Sequence, residues 1–345
     1  MNSLWEKWKD SNKFIQIATI LTFVLFIFFV AVVIADLSLG KEVGKGEFKY
    51  ELVIDPGESI KSVSKELYDN RLIRSKIYFQ ALLRLTGNSN NIKQGIYSID
   101  DGMNCRKILD ILVSGKVKMI SFTIPEGYTN RQIGDLLVSK KIISSRKEFL
   151  DSANNPVFLK KYGIPADTTE GYLYPETYSI PYNYKADEIV DMLLKRFYKN
   201  LATIEASTNI DPIELHKKVI LASIVEREAK KKEEQPLMAG VFLKRLKIKM
   251  PFESCATVQY LFDKPKKRLL EKDLLIKSPY NTYLNRGYPP GPISNPGLPA
   301  IRASFYPVES DSLFFLVKPD GSHYFSKTHK EHLEAKKKYI DVLYE

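Results

Sequence analysis

From Phe14 to Ala35 the chain carries no charged residue. At 1.5 Å per residue that run makes a helix about 33 Å long, which matches a hydrocarbon core of about 30 Å. Val33 and Ala35, just before Asp36, are the small residues a signal peptidase accepts. Signal h-regions, however, run only about 7 to 15 residues, so a retained transmembrane helix over residues 14–36 is expected. Lys7, Lys9 and Lys13 precede the span and Lys41, Lys45 and Lys49 follow it, which leaves the positive-inside count a draw. A short inner tail over 1–13 is the simpler topology. It places everything beyond a linker at 37–47 on the outer side of the cytoplasmic membrane.

The 345 residues leave room for two soluble domains, at roughly 150 residues each. Tyr50–Ile54 reads as an extended stretch, followed by the turn Pro56-Gly57-Glu58-Ser59 and helical spacing at Ile60, Val63 and Leu67. The arrangement returns downstream: Ile120–Ile124 leads into Glu126-Gly127-Tyr128-Thr129, then Ile133 and Leu137. Thr129 and Gln132 have capping-box spacing. Leu72-Ile73 matches Ile142-Ile143, Ser75 matches Ser145, and Phe79 matches Phe149. This internal repeat predicts a strand and two short helices in each copy. A strand at Gly95–Ile99 and a helix at Cys105–Val113 complete a small α+β module over 48–119. That module resembles the LysM-like domain found beside some cell-wall enzymes, and a spacer without carbohydrate affinity fits it equally. The second copy and its connection occupy 120–160.

The remainder, 161–345, reads as a larger mixed α+β domain, so the expected class is α+β throughout. Helices are predicted over Lys185–Ile204, Pro212–Lys231 and Leu237–Leu246, then a Pro, Gly and Asn-rich loop over Ser278–Pro299, a strand at Leu313–Val317 and a polar helix over Lys330–Tyr344. A loop of that length inside a domain is more often a binding surface than filler.

Lys and Arg number 52 against 41 Asp and Glu, a net charge of +11, which favours anionic surroundings such as lipid headgroups, cell-wall polymer or nucleic acid. No nucleic-acid motif accompanies the charge, so nucleic acid is not an expected partner. Cys105 and Cys255 are too few for a disulfide scaffold or a Cys-based zinc site; a single bridge and two free thiols both stay open. His323, His329 and His332 form His-x5-His-x2-His, which fits no standard zinc spacing, and His216 stands apart. No metal and no cofactor are expected. There is no Gly-x-Ser-x-Gly and no Gly-x-x-x-x-Gly-Lys, so serine-hydrolase and P-loop chemistry find no support.

Asp211-Pro212 with Glu214 marks a helix start: N-cap, first-turn proline and an acid at the positive dipole end. At 100° per residue, Leu215, Val219, Ala222 and Glu226 share one stripe. Glu226 therefore lies on the face expected to enter the core, while Glu228 points elsewhere. Desolvation disfavours the charged form of such a carboxyl, which suits it to proton donation near neutral pH. A buried Glu paired with Arg227 or Arg245 is the structural alternative.

The string Ala222-Ser223-Ile224-Val225-Glu226-Arg227-Glu228, then Ala239-Gly240-Val241-Phe242-Leu243-Lys244-Arg245-Leu246, resembles the MltG (YceG-like) endolytic murein transglycosylases. Further blocks occur in order: Gly171-Tyr172-Leu173-Tyr174-Pro175-Glu176-Thr177-Tyr178, Ser278-Pro279-Tyr280-Asn281-Thr282-Tyr283, Pro289-Pro290-Gly291-Pro292-Ile293 and Asn295-Pro296-Gly297. The resemblance covers nearly the whole chain. One departure is Cys255-Ala256 before Thr257-Val258-Gln259-Tyr260, where many members carry Asp-Pro. The resemblance implies a membrane-anchored lyase in which Glu226 is catalytic. It would cut the bond between N-acetylmuramic acid and N-acetylglucosamine in peptidoglycan strands and leave 1,6-anhydromuramyl ends. Glu176, Gln259, Tyr280 and Asn281 are the expected substrate-positioning residues, and peptidoglycan synthases are candidate partners. A hydrolytic muramidase and a non-catalytic wall-binding scaffold are the alternatives.

Overall fold

A computed structural model describes residues 13–55, 57–182 and 184–340. The expected amino-terminal tail, Pro56 of the first turn and the last helix beyond residue 340 lie outside them. The chain divides into two compact units. One comprises 1–120 with 181–183, the other 121–180 with 184–345.

In the first unit, helix α1 (Lys13–Leu39) is long and apolar enough to cross a membrane, and none of its apolar window is covered by protein. At its end Asp36 meets Tyr78 Oη and lies 3.0 Å from Arg106. Strands β1 (Lys49–Ile54) and β2 (Gly95–Asp100) pair antiparallel, from Lys49 opposite Asp100 to Ile54 opposite Gly95. Three helices flank the pair: α2 (Ile60–Asp69), α3 (Lys76–Leu85) and α4 (Cys105–Ser114). Inward residues at helical and strand periods, including Leu52, Ile54, Val63, Leu67, Phe79, Leu83, Tyr97 and Ile108, close one hydrophobic core.

The second unit begins with β3 (Met119–Thr123), α5 (Asn130–Ser139) and α6 (Arg146–Ala153). This is the same strand, helix, helix order as β1, α2 and α3. The likeness extends to chemistry: Ser59 and Thr129 cap the first helix of each copy, Ser75 and Ser145 the second. Phe79 and Phe149 are both fully buried. The structure adds short elements to those expected. Helix α7 (Pro156–Tyr162) starts with proline at its first position; β4 (Thr177–Pro181) pairs with β3; and β6 (His323–Ser326) pairs antiparallel with β5 (Phe314–Val317).

Helix α8 (Ala186–Leu201) leads to α9 (Pro212–Glu228), which packs against α10 (Gln235–Lys247), α11 (Cys255–Gln259) and α12 (Leu298–Phe305). Helix α9 stops three residues short of the expected Lys231, because no large apolar residue lies between Val225 and Leu237 to hold further turns against the core. Helix α12 emerges from the end of the expected loop, with Pro299 in its first turn. A closing helix, α13 (His329–Tyr339), follows the β5–β6 hairpin.

Candidate active site

Burial runs all the way round the middle of α9: His216 and every residue from Val219 to Val225 are buried. The apolar stripe is therefore not what singles out Glu226. Its place at the last turn does, where the helix leaves the core and the side chain is half-buried. Glu226 Oε2 accepts a 3.0 Å hydrogen bond from the Gly297 N–H, the residue that caps α12. Burial pushes the carboxyl above the ordinary Glu range, and nearby Glu126 adds to the rise, while the Gly297 N–H, Lys232 and Arg227 oppose it. A carboxyl so placed can hold a proton and release it toward an incoming oxygen.

Three loops converge on this group, and Asn295 ties them together. Its backbone N–H donates to Tyr128 O (2.8 Å), its carbonyl accepts from Gly127 N (2.9 Å), and its side chain accepts from Leu173 N (2.8 Å). Its amide nitrogen also reaches Glu170 (3.2 Å) and Asn130 Oδ1 (2.9 Å). Glu170 is buried, and burial raises its carboxyl to about 8. On the α9 side, Ser223 Oγ accepts from Ile293 N (3.0 Å), and Ser294 Oγ donates to Ser223 O (3.1 Å). Gly127 has φ +77°, and a Cβ there would come within 3.2 Å of Arg227 Cδ. The turn after β3 can therefore lie directly on the end of α9 only as glycine.

This convergence brings in Glu126, which the sequence reading left among the repeat residues. Glu126 lies against Gly297, so close that a Cβ on that glycine would collide with its carboxylate. Both its oxygens contact Lys232 Nζ, at 2.9 and 2.6 Å. The Tyr174 phenol feels the charges of Glu126 and Glu176 and is hydrogen-bonded by the Leu298 backbone.

The other expected site residues sit as follows. Glu176 makes a two-pronged ion pair with Arg196. Gln259 commits both ends of its amide to the Lys266 backbone, at 2.9 Å each. Asn281 is fully buried: its amide donates to Leu274 O and Ile276 O, and its oxygen accepts from Tyr283 N. Tyr280 packs against Tyr260 with ring centroids 5.1 Å apart. Glu228 accepts from Ser254 Oγ and from Ala256 N (3.3 Å), which fixes the start of α11. His323 lies 2.6 Å from Glu234, and His329 and His332 pack on Phe314. Cys105 is buried, Cys255 exposed, and both thiols are free.

The sequence profile of the YceG-like family matches residues 52–338, most of the chain and every element of this site. The chain belongs to the YceG-like family. Among its relatives, an endolytic murein transglycosylase of Bacillus subtilis (strain 168) is 34% identical over 307 residues, covering 83% of this chain and 84% of that protein. An endolytic murein transglycosylase of Streptococcus pneumoniae is 34% identical over 169 residues, 47% of this chain and 31% of its own length. The crystal structure of a YceG-like protein from Listeria monocytogenes superposes with a TM-score of 0.57 at 32% identity, covering 84% of this chain and 99% of that one. This YceG-like chain thus shares both sequence and fold with that group.

Proposed function

We propose that this protein is an endolytic lytic transglycosylase of peptidoglycan, with Glu226 as its acid and base. The observation that carries the reading is the half-buried Glu226 carboxyl, raised by burial and held by the Gly297 N–H, in a chain whose relatives are named endolytic murein transglycosylases.

Glu226 donates its proton to the oxygen joining N-acetylmuramic acid to N-acetylglucosamine, and the muramyl C1–O bond breaks. The resulting carboxylate takes the proton of the muramyl C6 hydroxyl, whose oxygen bonds to C1. Glu226 ends protonated, no water is consumed, and the new end is 1,6-anhydromuramyl. Glu176 and Tyr280 position the sugar, while Gln259 and Asn281 hold the loops that carry the positioning groups.

A hydrolytic muramidase is the competing reading, because Glu126 supplies a second carboxylate. Glycoside hydrolysis uses such a partner as nucleophile or base. Here both Glu126 oxygens are engaged by Lys232, which leaves it a poor base for water.

Helix α1 anchors the enzyme in the cytoplasmic membrane with the chain beyond it outside, where the strands are made. The 48–119 module is LysM-like and engages glycan; 120–160 and 161–345 form the catalytic part. The site requires no cofactor. Peptidoglycan synthases are the proposed partners in strand assembly and termination.

Parallel Glu226→Gln and Glu228→Gln variants test the assignment, with activity normalised to folded protein. Loss of general acid catalysis leaves Glu226→Gln at or below about one per cent, and Glu228→Gln retains turnover. The opposite pattern refutes Glu226 as the acid.

A further inference from the structure

Lys232 stands at the edge of the site, where the charges of two carboxylates, Glu126 and Glu226, act on it. It takes Glu126 with both oxygens, and its own affinity for its proton rises through that hydrogen bond. Among the described residues, Glu226 receives a hydrogen bond from one backbone N–H, that of Gly297. The two carboxylates flank the same glycine: Gly297 N points at Glu226, while the place of a Gly297 Cβ is filled by Glu126 Oε1.

Among the described residues, no cation pairs directly with Glu226. On its own helix, Arg227 aims its guanidinium at Gly127 O, 3.0 Å away. From α12 comes the capping N–H alone.

We infer that Glu126 is a positioning residue for the reaction: it holds Lys232 off Glu226, so that the acid meets substrate unpaired. The role rests on Glu226 being the proton donor, as proposed above. It is distinct from stability, because the side chains of Lys232 and Glu126 are 55% and 35% exposed. Exposed ion pairs of that kind contribute only about 0–1 kcal/mol to the fold. Glycine at 297 leaves the Glu126 carboxylate its place, since a Cβ there would overlap it.

The sign of the effect follows from the charges. An opposite charge beside a carboxyl favours its ionised form and a like charge disfavours it. Glu126→Gln removes a like charge and frees the ammonium, so Glu226 loses its proton at lower pH. Lys232→Gln removes the nearest competing cation and does the reverse. In the double variant both charges are gone and the two effects largely cancel.

The test is the pH profile of kcat/KM for the full-length protein in detergent micelles, with purified glycan strands as substrate. Glu126→Gln should move the alkaline limb down by about one pH unit. Activity on the alkaline side of the limb should then fall about tenfold, while activity well below the limb is kept. Lys232→Gln should move the limb upward, and the double variant should return it toward the wild-type position. Melting temperatures identify any variant that fails to fold, and Lys232→Gln and the double variant decide the matter if Glu126→Gln is lost. A limb that stays in place in all folded variants, with kcat lowered evenly across pH, overturns the role and leaves a structural ion pair. That outcome is separate from failure of the acid assignment, in which Glu226→Gln itself stays active.

Discussion

At Glu226 the quantity that matters is how much water the carboxyl keeps, and the end of α9 sets it. The side chain is half withdrawn from solvent and retains one N–H donor. Glu228, two residues on, meets Ser254 and the start of α11 instead. The polar loop residues divide along the same line. Asn281 has no exposure, and all its hydrogen-bonding capacity goes to its own loop. Asn281→Ala should cost about 1–3 kcal/mol by leaving the Leu274 and Ile276 carbonyls unpartnered. Urea unfolding measures this directly, and an unchanged midpoint with lost activity would instead return Asn281 to the substrate. The sequence pointed to Glu226 through its stripe with Leu215, Val219 and Ala222 and through the family string, whereas in the structure burial runs round the middle of the helix and the last turn reaches solvent. Glu126 was not legible in the sequence, since its partner Lys232 lies 106 residues away and nothing local marks the meeting. For Gln259 and Asn281 the sequence showed polar groups in loops, and only the fold shows that both face backbone.

Among the elements, the loop carrying Asn295 and Gly297 is held by a buried polar network whose least soluble member is Glu170. It accepts from Asn130 N (3.0 Å), Asn295 Nδ2 (3.2 Å) and Tyr260 Oη (3.3 Å). Burial raises its carboxyl from 4.5 to about 8. A folded state that holds a proton better than the unfolded chain loses stability as that proton leaves. Glu170's contribution is therefore full below pH 4.5 and is lost as pH rises through about 8. Thermal melts across this window should fall more steeply for the wild type than for Glu170→Gln, which has no proton to lose; parallel curves would contradict this. The main helices and β1, β2 and β5 were readable from apolar period and caps. Three of the misses share one cause. Helix α12, strand β4 and helix α7 are short and carry proline at an end, so their local signal reads as loop. Pairing such as Thr123 with Thr177 at 2.8 Å, across 54 positions, secures β4 in the folded chain.

For the molecule as a whole, an apolar α1 at the start of the first of two compact units makes the location of the chemistry a matter of anchoring. Carbonate extraction of membranes should leave the full-length protein in the pellet. A soluble mature form beginning at Asp36 would contradict a retained anchor. The net charge of +11 suits work beside anionic lipid and wall polymer, but it selects no substrate. The substrate follows from relatives named endolytic murein transglycosylases. What remains to be read is the product. Purified glycan strands should be incubated with the full-length protein, and the new ends weighed by mass spectrometry. The account predicts 1,6-anhydromuramyl ends, lighter by one water than reducing ends and absent with Glu226→Gln. Reducing muramyl ends, or no cleavage by folded wild-type protein, would contradict it.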